Sequence, residues 1–199
     1  MDRKPLPYRF FGHLKTICIH KYWVFYYCCK LGIPFRGIIH DLSKFSPTEF
    51  IEGVKYYTKE TSPINTAKKL TGYSEQWMHH KGRNKHHYEF WMDRFDDGGG
   101  NLMMPFRYAI EEICDYLGAG RAYYGRNFTF QIEYEWWLKR IQKPIAMHPA
   151  LQDFNTVCLE TMSRTSKFLT KQELKLIYLD AVQRHEKNVE PWPLSTSSK

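Results

Sequence analysis

The apolar residues between positions 8 and 31 recur at helical spacing, and this long segment constrains the fold more than any other. The positions that carry the pattern are Phe11, Leu14, Cys18, Phe25 and Cys29. Gly32 follows them, where the end of a helix favours a left-handed residue. The sequence shows no alternating strand pattern of useful length and no hairpin dipeptide. It therefore predicts an all-α fold.

Capping residues predict where further helices begin. Ser46, Pro47 and Glu49 combine an N-cap, a first-turn proline and a capping-box glutamate, which predicts a structural helix over 47–57. Thr170 and Glu173 form a second capping box, for a last helix that reaches about residue 185. Weaker signals predict a loop or short helix, with a role as a mobile lid, at 58–72 and a turn at 96–101. The remaining helices are predicted at 35–42, from 105 onward, at 129–140 and at 149–162.

A length of 199 residues suits one domain of ordinary size with an extension. We expect a helical bundle over 8–126, a C-terminal helical extension packed on it over 127–190, and a flexible tail over 191–199. The five cysteines include no Cys-x-x-Cys pair and favour a reducing cytoplasm. The longest apolar run, 22–29, is too short to span a bilayer, so no membrane partner is expected. The oligomeric state stays open.

A formal net charge of +8 favours phosphate-bearing partners, either a nucleotide or nucleic acid. Aromatic residues make up 17% of the chain, and rings interleaved with basic residues can stack on bases, although helix packing accounts for most of them. Charge alone does not choose between the two partners. The basic residues considered for a nucleic-acid surface are Arg121, Arg126, Lys139 and Arg140.

Four of the nine histidines lie between Trp77 and Trp91. They form two pairs with a spacing of seven residues, His79 with His86 and His80 with His87. Seven residues are two helical turns less about 20° of drift, so each pair can share one face of a helix. Gly82 and Asn84 favour a turn within this segment, and a short loop between helix ends would serve the same purpose. The cluster is either half of a metal site or a solvated basic surface.

A second signal lies upstream, where His40 and Asp41 follow two isoleucines. Such polar groups are tolerated at the edge of a core when they are paired or bind a metal. Two further residues extend this set of candidate ligands. One is His20 on the first helix, for which His13 is an alternative. The other is Asp115 in a later apolar stripe, which could equally lie on the solvent-exposed face of its helix. Imidazole and carboxylate ligands suit manganese, iron, cobalt, nickel or zinc better than calcium. We expect one or two divalent transition-metal ions.

The order His, His-Asp, further histidines and Asp resembles that of the HD-domain superfamily of metal-dependent phosphohydrolases. The resemblance covers about residues 8–124 and implies that the bundle expected over 8–126 is an HD-domain-like, metal-binding helical core. It is strongest to a family of short, uncharacterised HD-like proteins encoded by phages and bacteria. Two strings carry it, His-Asp-Leu-Ser-Lys-Phe at 40–45 and His-His-Lys-Gly-Arg-Asn-Lys-His-His at 79–87.

The resemblance implies a role for each matching residue. The implied metal ligands are His20, His40, Asp41 and Asp115, supplemented by His80 and His87, with His79 and His86 as alternatives. Asp41 would bridge metals or bind one while it orients water, and Lys44 would contact phosphate. Further anion contacts are expected from Lys81, Arg83, Asn84 and Lys85.

The expected activity is hydrolysis of a phosphate ester in a nucleotide, cyclic nucleotide or related compound through metal-activated water. Two other readings stay open: a non-catalytic nucleotide or nucleic-acid binder, and an HD-type di-iron oxygenase. The metal hypothesis makes one geometric prediction. At least one histidine of the 79–87 segment should lie at ligand distance from a centre that it shares with His40 and Asp41.

Overall fold

The computed structural model describes residues 4–95 and 98–186. Within these ranges the regular secondary structure is helical apart from one short hairpin, which confirms the predicted all-α class. The predicted tail, 191–199, lies outside the described residues. No helix in the described ranges is both long and apolar enough to cross a membrane. The helices are α1 (Leu6–Lys30), α2 (Pro34–Ile39), α3 (Pro47–Tyr56), α4 (Pro63–Thr71), α5 (Glu75–Lys81), α6 (Phe106–Tyr124), α7 (Phe130–Ile141), α8 (Pro149–Thr165) and α9 (Lys171–Glu186).

Helices α1 and α6 form the most extensive helix pair in the described part of the chain. Gly118 of α6 permits their close approach, because a methyl group at this position would lie 2.5 Å from Cγ2 of Val24. Val24 and Leu117 are fully buried in the contact. This packing sets His20 of α1 opposite Asp115 of α6.

A continuous hydrophobic core joins this pair to the C-terminal helices. It extends from Val24 of α1 through Leu117 of α6 to Trp137, Leu151 and Leu174 on α7, α8 and α9. Fully burying one such side chain stabilises the fold by about 1.5–3 kcal/mol. The described part of the 127–190 extension therefore shares the core of the 8–126 segment.

The predicted helix starts are present where side chains cap them. Oγ of Ser46 accepts a hydrogen bond from the backbone N–H of Glu49, and Pro47 begins α3. At α9, Oε2 of Glu173 accepts from the backbone N–H of Thr170, while Oγ1 of Thr170 accepts from the N–H of Glu173. Gly32 has the predicted left-handed conformation after α1, with φ +67°.

The predicted turn at 96–101 is wrong for its last four residues. Gly98–Asn101 forms strand β2, which pairs in antiparallel fashion with strand β1, Met92–Phe95, while residues 96 and 97 lie outside the described ranges. Phe95 stands opposite Gly98 and Met92 opposite Asn101. Three consecutive glycines have no side chains to alternate, so the period-two pattern that marks a strand cannot appear in the sequence.

Candidate metal centre

His40 and Asp41 form a tight turn after α2, which ends at Ile39 rather than at the predicted residue 42. Asp41 adopts the left-handed conformation, with φ 54° and ψ 26°, before a 3-10 helix over Leu42–Phe45. This conformation is uncommon for residues other than glycine, and aspartate is among those that tolerate it. Strained residues of this kind cluster at functional sites. His40 and Asp41 are 1% and 0% exposed, so the turn buries both side chains.

The first cluster unites one side chain from α1, two from this turn and one from α6. Nε2 of His20 lies 3.1 Å from Oδ1 of Asp115 and 3.3 Å from Nε2 of His40. Nε2 of His40 lies 3.3 Å from Oδ2 of Asp41 and 3.4 Å from Oδ1 of Asp115. All four side chains are buried, and their ligand atoms are close enough to hold one metal ion.

The second cluster gathers three histidines around the other oxygen of the same aspartate. Oδ1 of Asp41 lies 3.2 Å from Nε2 of His80 and 3.3 Å from Nε2 of His86. Nε2 of His87 lies 2.9 Å from Nε2 of His80 and completes the group. The two oxygens of Asp41 thus face two different clusters, as a carboxylate that bridges two metal ions would.

The spacing of these atoms fits metal coordination. Ligands about 2.1 Å from a common ion lie about 3.0 Å apart in octahedral and about 3.4 Å apart in tetrahedral arrangements. Oδ1 of Asp41 and Nε2 of His86 are both buried, and neither forms a hydrogen bond within the described residues despite their 3.3 Å separation. Buried nitrogen and oxygen donors in this arrangement can hold a transition metal ion.

Carboxylates on the outer side of the imidazoles support this interpretation. Nδ1 of His80 lies 2.7 Å from Oε2 of Glu49, and Nδ1 atoms of His40 and His86 lie 3.1 and 3.3 Å from Oε1 of Glu111. An imidazole that donates its Nδ1–H to a carboxylate presents the lone pair of Nε2 to a metal. Three of the five clustered histidines are therefore oriented as ligands.

The structure gathers all six implied ligands in the two clusters: His20, His40, Asp41, His80, His87 and Asp115. His86, an alternative ligand in the sequence, joins them. His79 lies outside both clusters, although its Nδ1 lies 2.7 Å from Oε1 of Glu49. The 79–87 segment reaches Asp41 through Nε2 of His80 and of His86, although no cluster of the described residues holds His40, Asp41 and one of these histidines together.

His13 and His20 share a face of α1, but they lie in different surroundings. His13 is buried beside Phe50 and Tyr57 of the α3 region, and burial, assisted by the charge of Lys44, lowers its pKa to about 4. It belongs to neither cluster. Of these two competing residues, His20 is therefore the one placed to bind a metal.

The 79–87 segment is a helix end followed by a turn, and not a continuous helix. Helix α5 ends at Lys81, and the side-chain amide of Asn84 donates to the carbonyl of His80 at 2.8 Å and to Oγ of Ser43 at 3.0 Å. Adjacent residues on a helix point about 100° apart, so His86 and His87 could not both reach one centre there. The turn lets them converge. Asn84 was predicted to contact an anion, but its two hydrogen bonds give it a structural role in stabilising this turn.

The other residues predicted to contact an anion lie at different distances from the clusters. Nζ of Lys44 lies 2.6 Å from Oδ2 of Asp41, directly at the first cluster. Nη1 of Arg83 donates to the carbonyl of His79, and Nζ of Lys85 lies 5.5 Å from the ring centre of Phe90. Lys81 is half-buried at the end of α5. The structure thus places one of the predicted basic groups, Lys44, against the cluster.

The site combines an ionised carboxylate with imidazoles whose pKa values are shifted in both directions. Burial alone would raise the pKa of Asp41, but His40, Lys44 and His80 hold that pKa well below its usual range. The carboxylate therefore stays ionised. Burial, reinforced by the neighbouring histidines, holds the pKa of His87 well below its usual value, so this imidazole is neutral. Despite burial, the neighbouring carboxylates, Asp41 first, raise the pKa of His40 and of His80, so these two imidazoles must release a proton when they bind a metal.

Two residues of the centre, Glu49 and Glu111, were not predicted from the sequence. Glu49 was interpreted only as a capping-box residue of a structural helix, yet its side chain contacts His79 and His80. Glu111 precedes Asp115 by four residues and so shares its helix face, a spacing that would have identified it. Both glutamates are almost fully buried.

Residues 9–162 match a family of unknown function (DUF5662), and the chain belongs to this family. The match includes every residue of both clusters, crosses the expected boundary at 126–127 and ends within α8. No curated protein and no solved structure matches the chain at a significant level.

Proposed function

We propose that this protein is an HD-type phosphohydrolase that uses two metal ions to hydrolyse a phosphate ester, such as a nucleotide or cyclic nucleotide. The bridging geometry of Asp41 carries the proposal, because its two oxygens face two separate groups of buried ligands. A pair of metal ions bound there would supply a hydroxide nucleophile at neutral pH and neutralise charge on the phosphoryl oxygens. This is the chemistry that the resemblance to HD-domain proteins implies.

Lys44 provides the positive charge that such a substrate needs. Burial would lower the pKa of its ammonium, but Asp41 and Asp115 raise it above the usual value, so Lys44 stays charged. Its side chain is partly exposed, whereas that of Asp41 is completely buried. Lys44 therefore lies between the ligands and solvent, where it can donate to a phosphate oxygen.

Two arginines considered for a nucleic-acid surface are engaged within the fold. The guanidinium of Arg121 lies over the rings of Trp23 and Phe128. Arg140 donates to the hydroxyl of Tyr88, over whose ring it also lies. These contacts leave less cationic surface for a polyanion than the sequence suggested, which favours a small phosphate-containing substrate.

The test is a hydrolysis assay on protein loaded separately with manganese, iron, cobalt, nickel or zinc. Substrates would include nucleoside phosphates, cyclic nucleotides and a simple aryl phosphate. We expect release of phosphate or of a nucleoside monophosphate, which Asp41→Asn abolishes. His185→Ala is the matched control, because His185 contacts Asp153 on the C-terminal helices and lies outside both clusters.

Two outcomes would contradict the proposal. Protein that holds two ions but cleaves no phosphate ester with any metal would not be a phosphohydrolase. Oxygen consumption by the iron-loaded protein, in the absence of hydrolysis, would instead support the di-iron oxygenase reading of the same ligands.

A further inference from the structure

Glu111 contacts one histidine from each cluster through the same oxygen atom. Its Oε1 lies 3.1 Å from Nδ1 of His40, in the first cluster, and 3.3 Å from Nδ1 of His86, in the second. The rings of His40 and His86 lie 4.2 Å apart between their centres. Glu111 is 2% exposed and stands one helical turn before Asp115 on α6. A single buried carboxylate thus reaches the outer side of both clusters.

The second oxygen of Glu111 is held from α2. Oε2 accepts a hydrogen bond from Nε of Arg36, whose guanidinium lies 4.2 Å from the ring centre of Tyr108. This contact fixes the carboxylate so that Oε1 faces the two imidazoles. Glu111, His40 and His86 are themselves close enough to hold a cation, but the guanidinium of Arg36 already neutralises this carboxylate.

Glu49 provides a natural comparison. Its two oxygens contact Nδ1 of His79 and Nδ1 of His80, and His80 belongs to the second cluster alone. Both glutamates are buried and both accept from Nδ1 of a candidate ligand. They differ in the histidines that they contact, since Glu49 contacts a histidine of one cluster and Glu111 contacts a histidine of each.

We propose that Glu111 is a positioning residue shared by both metal positions. It fixes the Nδ1–H tautomer and the ring orientation of His40 and His86 together, so its loss weakens both positions at once. The inference rests on the two-metal centre proposed above. Outer partners of this kind typically change metal affinity by about 10–100-fold.

The experiment is a titration of the chelator-treated protein with zinc and, separately, with manganese. Competition with a chelator of known affinity gives a dissociation constant for each position, and elemental analysis gives the number of ions per chain. We expect Glu111→Gln to weaken both positions by about 10-fold or more, and the matched variant Glu49→Gln to weaken one. A Glu111→Gln protein that loses affinity at one position, or at neither, would overturn the inference.

A second variant covers failure of Glu111→Gln to fold. Arg36 is partly exposed, so Arg36→Gln should keep the fold while it releases Oε2 of Glu111. We expect a smaller loss of affinity at both positions and a changed visible spectrum of the cobalt-loaded protein. Circular dichroism with chelator checks the fold of each variant. Unchanged affinity at both positions of Arg36→Gln would count against a shared role.

The measurements separate this inference from the proposed function, because none of them is an activity. Wild-type protein that binds two ions but hydrolyses nothing would defeat the phosphohydrolase proposal and leave the role of Glu111 standing. Hydrolysis by a two-ion enzyme whose Glu111→Gln variant binds metals normally would defeat only the present inference. Wild-type protein that binds fewer than two ions would overturn both.

Discussion

The ammonium of Lys44 lies 2.6 Å from Oδ2 of Asp41, the carboxylate oxygen that faces His20 and His40. Lys44 comes three residues after Asp41, in the 3-10 helix that follows the turn. It therefore adds a positive charge beside the ligands without belonging to either cluster. A charge in that position should act on the substrate more than on the metal.

We predict that Lys44→Met retains metal but loses activity. Removal of one preorganised donor to a reacting group commonly lowers kcat by about 100- to 1,000-fold, and we expect a loss of that order. Lys44→Arg, which keeps the charge, should retain part of the activity. Steady-state kinetics and elemental analysis of the same samples check the prediction. A loss of metal that parallels the loss of activity would show that Lys44 supports the ligands instead.

The two clusters should be separable by mutation, because only Asp41 belongs to both. We predict that His20→Ala leaves one ion per chain, bound at the second cluster, and that His87→Ala leaves one bound at the first. Asp41→Ala should remove both. Elemental analysis after gel filtration measures the occupancy. Complete loss of metal from either single-histidine variant would indicate that the positions depend on each other.

Gly53 of α3 lies against the buried ring of His13, which a methyl group at this position would overlap. We predict that Gly53→Ala lowers the free energy of unfolding by about 1–3 kcal/mol, the usual cost of overpacking. Gly82→Ala is the control, because the nearest atom, the carbonyl oxygen of Met78, would lie at 3.4 Å. It should change stability by less than about 0.5 kcal/mol. Urea unfolding checks both, and equal effects would argue against steric overlap at His13.

Helices and candidate ligands could be predicted from the sequence because each carries a local signal. The capping box at Thr170 and Glu173 forms as expected, and so does the left-handed residue Gly32. His20, His40 and Asp115 come together as the order of residues suggested. In each case either neighbours in the chain or the spacing typical of HD-domain proteins contained the information.

The remaining features depend on contacts between distant segments. Glu49 fits a capping box, but its side chain contacts His79 and His80, which lie 30 and 31 residues further along the chain. Of the two alternative ligands, His86 joins the second cluster and His79 does not, because the turn after α5 changes the direction of the chain, which helical spacing cannot represent. The left-handed conformation of Asp41 likewise has no distinctive signature in the sequence, because aspartate tolerates this conformation without requiring it.

Glu133 gives the stability of the fold a dependence on pH. The side chain is 4% exposed against α6, where a methyl group at Gly120 would overlap its carboxylate. Burial, with a smaller contribution from Asp115, raises the pKa of Glu133 from 4.5 to about 8. Between these values the unfolded chain loses the proton and the folded chain keeps it. The contribution of Glu133 to the free energy of unfolding therefore falls by about 1.4 kcal/mol per pH unit between about pH 4.5 and pH 8.

We predict that Glu133→Gln removes this decrease in the free energy of unfolding with pH. The variant should therefore become increasingly stable relative to the wild type as the pH rises from 5 to 8. Glutamine preserves the shape of the side chain and cannot ionise, so the packing against Gly120 is kept. Urea unfolding at several pH values, with chelator present to exclude metal effects, measures the difference between the two proteins. The exposed Glu135 on the same helix supplies the control, and Glu135→Gln should follow the wild-type curve. Parallel curves for wild type and Glu133→Gln would show that the buried carboxyl ionises normally in the folded protein.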